Sequence, residues 1–78
     1  MSGVPKDVAM GLPILTITGT NDLCVENYRG MTEYTDQIIR LQSKSGQIKI
    51  TGKKLEVIYY TNDEMKIHGQ IRTIEYQL

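Results

Sequence analysis

The chain has 78 residues, nine basic and nine acidic, and a formal net charge of zero. A chain this short makes one domain with a thin core, burying about two-thirds of its unfolded surface. Balanced, interspersed charge excludes a strong field for phosphate backbones or anionic membranes. A single cysteine excludes an internal disulfide, and no apolar run approaches the roughly 20 residues that cross a bilayer.

Residues 1–12 read as a flexible N-terminal leader, and residues 13–78 as a single all-β domain. Gly3, Pro5, Gly11 and Pro13 punctuate the start, and Val8-Ala9-Met10 is too short to stand alone as an element. Met1 to Lys6 lacks the apolar centre of a secretory signal. One unpaired cysteine suits a reducing cytosol.

From Pro13 onward the spacing predicts eight short strands: Ile14–Thr18, Leu23–Asn27, Met31–Thr35, Gln37–Lys44, Gln47–Thr51, Leu55–Tyr60, Glu64–His68 and Gln70–Gln77. Turn residues separate them: Gly19-Thr20-Asn21-Asp22, Tyr28-Arg29-Gly30, the hairpin signal Ser45-Gly46, Gly52-Lys53-Lys54 and Thr61-Asn62-Asp63. Short strands with frequent turns, no sustained helical period and no room for a crossover helix predict antiparallel sheets. The expected architecture is a small sandwich or roll, with a short β-solenoid as the alternative.

Three phrases share one grammar: Leu15-Thr16-Ile17-Thr18-Gly19, Ile48-Lys49-Ile50-Thr51-Gly52 and Met65-Lys66-Ile67-His68-Gly69. Apolar side chains two apart share one face of a strand. The glycine then permits a turn or bulge. These glycines stand 33 and then 17 positions apart, which leaves an internal duplication of about 17 residues as one reading. Ile48 and Ile50 are even-numbered, whereas Leu55, Val57 and Tyr59 are odd, so a shared core requires a change of phase at Gly52-Lys53-Lys54. Ile38 opposes Ile39 and Leu41, and Ile58 and Tyr60 oppose Val57 and Tyr59. Those segments are either covered on both sides or carry a subunit contact.

The residues that could carry chemistry are few. His68 is the only histidine, and alternation places it on a polar face, as a solvated strand residue rather than a general base. Cys24 leans away from Leu23 and Val25, with no local group to activate a thiol, so it reads as structural. One His and one Cys without ligand spacing give no metal signal. Glu26, Glu33 and Asp36 form a carboxylate group read as solvated strand ends. No phosphate loop, nucleophile elbow or dinucleotide fingerprint occurs. No catalytic residue, metal or cofactor is therefore expected. Lys49, Lys53, Lys54 and Lys66 with Tyr59 and Tyr60 sketch a binder of single-stranded nucleic acid. Zero charge and the absence of Phe and Trp count against it.

The most individual stretch is Val25-Glu26-Asn27-Tyr28-Arg29-Gly30, which reads as a polar turn that a partner could recognise. Together with Leu12–Gly19, Tyr34-Thr35-Asp36, Ile39-Arg40, Gly46–Leu55 and Ile67-His68-Gly69-Gln70-Ile71, it resembles the YabP/YqfC family of small sporulation proteins, nearest the YqfC branch. The likeness runs from Leu12 to Leu78. It implies an endospore-forming bacterium, expression in the mother cell, a part in spore formation and no catalytic residues. Relatives carry a His-like ring where this chain has Tyr28, which favours packing at that position. The resemblance also implies other sporulation proteins as partners, one of them membrane-associated. It further implies a cytoplasmic place in the mother cell, peripheral to the forespore membrane or spore envelope. A thin core favours a second copy or a partner subunit as support. The residues read as turn or contact positions are Glu26, Asn27, Tyr28, Arg29 and Gly30, with Arg40 and Tyr60. The functional expectation is a non-catalytic protein working through protein–protein contacts in coat or cortex formation.

Overall fold

The computed structural model describes residues 11–77. Six strands form one antiparallel sheet: β1 Ile14–Thr18, β2 Asp22–Glu26, β3 Tyr28–Tyr34, β4 Ile38–Ser43, β5 Gly46–Tyr60 and β6 Glu64–Gln77. Their spatial order is β1-β2-β6-β5-β4-β3, and the sheet does not close on itself. The all-β antiparallel expectation holds. Neighbours pair antiparallel throughout, so a solenoid does not describe the chain. The leader lies largely outside the described residues.

Eight expected segments become six strands because two glycine corners bend strands without ending them. A straight strand of 15 residues would run about 50 Å, yet the longest axis of the molecule is 34 Å. β5 and β6 therefore bend together. Their register slips at Thr51/Gly52 and Lys53/Glu56, and Lys54 adopts a φ of 54°. Gly69 has a φ of 148°, and a Cβ there would lie 2.6 Å from the Lys54 carbonyl oxygen. Only glycine admits that approach. The change of phase expected at Gly52-Lys53-Lys54 is this bulged corner: Ile48, Ile50 and Leu55 are all buried.

The bend divides the sheet into two halves. β1, β2, the first half of β6 and the second half of β5 make one; β3, β4 and the remainder of β5 and β6 make the other. Leu23, Val25, Met65 and Ile67 from the first half join Ile39, Leu41, Ile48 and Ile50 from the second in a single buried cluster. Burying these side chains is the main stabilising term, at roughly 1.5–3 kcal/mol for each fully buried aliphatic.

The halves repeat one plan. Leu23 and Val25 pair with Ile67 and Met65, while Ile39 and Leu41 pair with Ile50 and Ile48. In one half Gly69 and Ile71 donate backbone N–H bonds to the Asn21 and Thr20 carbonyls of the β1–β2 turn, at 3.0 and 3.1 Å. In the other, Gly52 and Leu55 donate to Gln37 and Asp36 of the β3–β4 turn, at 3.0 and 2.8 Å. The phrases ending in Gly52 and Gly69 thus occupy equivalent places about an approximate two-fold axis. The third phrase lies on β1 and ends in a turn at Gly19, where φ is 62°.

Smaller departures are local. The turn into β3 is Asn27 alone, at φ 66°, and β3 already begins at Tyr28. The β4–β5 hairpin turns on Lys44-Ser45, one residue before the expected pair, with buried Ser43 donating to the Gly46 carbonyl at 2.7 Å. A third slip between Val57 and Tyr59 turns Tyr59 outward and leaves Val57 half-buried, so the expected common face with Leu55 ends early.

Candidate functional site

The β2–β3 junction meets the β5–β6 turn at one end of the molecule. Asn27 tolerates a left-handed backbone better than most residues, and its N–H donates to the Asp63 carbonyl at 2.8 Å. Its side-chain Nδ2 donates to the Leu12 carbonyl at 3.2 Å. Tyr28 follows and is buried. Its hydroxyl reaches the Thr61 carbonyl and lies 2.9 Å from that of Glu64. Its ring stacks on Tyr60, with centroids 5.6 Å apart and planes 28° apart. Burial, then the neighbouring Tyr60, Asp63 and Glu64, pushes the Tyr28 hydroxyl up to about 12. Tyr28 therefore pins the start of the third strand to the last hairpin and couples the two halves.

Of the expected contact residues, Glu26, Asn27, Tyr28 and Tyr60 gather around this junction. Arg29 points to solvent. Gly30 sits within β3, with open space where a side chain would go. Arg40 is elsewhere, on the outer face of the β3–β4 half. Its Nε donates to Glu33 at 2.6 Å and its Nη1 to Gln77 at 3.0 Å.

The segment expected to be covered on both sides or to carry a subunit contact is exposed: Ile58, Tyr59 and Tyr60 are 51%, 40% and 50% accessible. It lies on the part of β5 that pairs with β6 alone. The N–H of Val57 just before it is taken by the Tyr34 hydroxyl at 3.0 Å. Among the described residues no further strand pairs with this edge.

The outer face of the β1–β2 half holds the remaining chemistry. Asp22 stands opposite His68, Cys24 opposite Lys66 and Glu26 opposite Glu64. His68 Nδ1 is 2.9 Å from Asp22 Oδ1, and that bond lowers the Asp22 carboxyl. The Cys24 thiol donates to Glu64 Oε2 at 3.5 Å. Burial and then the Glu64 bond push the thiol up, away from the nucleophilic thiolate. Tyr59 lies beside it, and partial desolvation followed by the Cys24 contact raises its hydroxyl. Asp22, Cys24, Tyr59 and Lys66 border a shallow cleft of about 220 Å³ with Thr16, Thr18 and Leu23.

Cys24, Glu26 and Glu64 bring three potential ligand atoms within 4.8 Å of one another. Spacing along the chain could not show this trio, because Glu64 joins it only through the β2–β6 register. Glu33 and Asp36 do not join it: Glu33 pairs with Arg40, and Asp36 lies in the β3–β4 turn. Nor do the lysines gather. Lys49 faces out from the β4 half, Lys66 from the β2 half, and Lys53 and Lys54 stand at the corner.

The model of the YabP family matches residues 12–78. The chain belongs to this family. It is 33% identical over 73 residues to the uncharacterized protein YqfC of Bacillus subtilis strain 168, covering 94% of this chain and 78% of that protein. The YabP/YqfC resemblance is thus borne out. No solved structure matches the chain. No helix among the described residues is long and apolar enough to cross a membrane.

Proposed function

We propose that this YabP-family chain is a non-catalytic sporulation protein that acts in the mother cell through protein–protein contacts during coat or cortex formation. The observation that carries this reading is the exposed Ile58-Tyr59-Tyr60 run on an open strand edge, beside the Tyr28 junction. Aromatic side chains supply much of the energy of protein interfaces, and an unpaired edge accepts a partner strand through its main chain. Family membership supports the biological setting, since the resemblance implies spore formation. The partner in this reading is another sporulation protein at the forespore membrane or spore envelope. The protonated, carboxylate-bonded Cys24 supports a role without covalent chemistry.

Complementation tests this in an endospore-forming host lacking its own family member. The natural chain should restore heat-resistant spores. Ile58→Asp, which changes an exposed side chain, should fold normally and fail to restore them. Full rescue by folded Ile58→Asp would sink the proposed contact.

A further inference from the structure

The paired bend of β5 and β6 opens a second cleft, of about 510 Å³, against the β1–β2 turn. Its polar walls are Thr20, Asn21, Lys53, Lys54, His68 and Gln70, and the bare backbone of Gly69 completes it. The lining includes no carboxylate and no wholly aliphatic side chain, and its one aromatic ring is the His68 imidazole. Asp22 and Glu56 stand on either side of His68 in the strand register but do not line the cleft. Within the described residues, neither Lys53 nor Lys54 has an ion-pair partner.

Each wall group has a defined hydrogen-bonding role. The Thr20 hydroxyl donates to Asn21 Oδ1 at 3.2 Å, which leaves the Asn21 amide N–H groups to donate outward. Asp22 engages His68 Nδ1, which leaves Nε2 as the ring nitrogen open to a ligand. Gln70 offers both a donor and an acceptor. Lys54 is held at φ 54°, a region a lysine seldom enters and one often found at ligand sites.

We infer that this corner binds a small phosphomonoester with a hydroxylated body, of the sugar-phosphate kind. Two unpaired ammonium groups supply charge-assisted donors for the phosphate dianion. The amides and the imidazole match hydroxyl groups, each of which both donates and accepts. With no Phe, Tyr, Trp, Leu, Ile or Val in the lining, an acyl chain would find no apolar side chain to bury against. The inference is independent of the proposed contact at Ile58, which lies on another part of β5.

The test is an amide-resolved NMR titration of the full chain with glucose 6-phosphate, glucose and inorganic phosphate. Glucose 6-phosphate should give saturable shifts centred on Asn21, Lys53, Lys54, Gly69 and Gln70. Inorganic phosphate should bind the same amides more weakly, and glucose should not bind. The double variant Lys53→Gln/Lys54→Asn should weaken binding at least about tenfold, as expected for lost charge-assisted bonds. Asparagine is chosen at 54 because it tolerates positive φ, so the melting temperature should hold. Lys49→Gln/Lys66→Gln should leave binding unchanged. No saturable shift with glucose 6-phosphate, equal affinity for inorganic phosphate, or shifts spread equally to Lys49 and Lys66 would overturn the inference.

Discussion

Gly52 lies so close to the main chain of Gln70 that a Cβ built on it would stand 2.1 Å from the Gln70 carbonyl oxygen. Backbone on both sides of the contact leaves little room to give way. Gly52→Ala should therefore cost more than about 3 kcal/mol, through strain at a close-packed position. Gly30→Ala has open space around it and no left-handed backbone, and should stay within about 0.5 kcal/mol of the natural chain. Denaturant unfolding of the two variants compares them directly. Equal midpoints would show that the corner is not the tight contact described.

Ile50 is completely buried, whereas Ile58 is half exposed. An aspartate at position 50 would bring an unpaired charge into the core. That penalty of several kcal/mol is comparable with the whole stability of a domain this small. Ile50→Asp should lack a cooperative melting transition, and Ile58→Asp should melt within a few degrees of the natural chain. Thermal circular dichroism reads both, and a normal transition for Ile50→Asp would contradict the core assignment.

The Tyr28 hydroxyl bonds to the β5–β6 turn while its ring stays buried against Tyr60. Tyr28→Phe should lose about 1–2 kcal/mol, since it leaves the Thr61 carbonyl short of a donor, while the Glu64 carbonyl keeps the Thr61 N–H and hydroxyl. The same hydroxyl sets a pH window. Its folded value, near 12, lies above the ordinary value of 10, so the folded state holds this proton more tightly. The contribution is fully present below pH 10 and is lost as pH rises through 12. Stability of the natural chain should thus fall more steeply across that window than that of Tyr28→Phe. Parallel slopes would remove Tyr28 as the titrating group.

Cys24 gives a chemical readout of the outer face. Burial and the Glu64 bond both hold its proton, so alkylation by iodoacetamide should be slow and its pH midpoint should lie above that of an unfolded control. Glu64→Gln removes the anion and should move that midpoint down, though not fully, because the largest cause is burial. An unchanged midpoint would separate Cys24 from Glu64.

Arg40 shows how a local reading can miss a neighbourhood. In the fold it faces Glu33 and Gln77 and is remote from the Tyr28–Tyr60 stack. The Glu26–Gly30 stretch is legible as a turn because Asn27 and Gly30 are residue types that suit one. That Tyr60 stacks on Tyr28 was not legible, since the two rings meet only when the last hairpin folds back onto β3.

The residues on their own specify antiparallel β-structure and where it turns. Side-chain alternation has a period of two residues, and glycine's freedom acts on its own backbone, so strands, corners and the phase change near Gly52 are all written locally. Only the tertiary structure decided which strands run continuously through those corners, and which side chains meet. Leu23 against Ile67, Cys24 with Glu64 and Lys53 beside His68 depend on pairing register and on the joint bend of β5 and β6. Pairing register is fixed by packing between segments as far as 46 positions apart, and no local pattern encodes it.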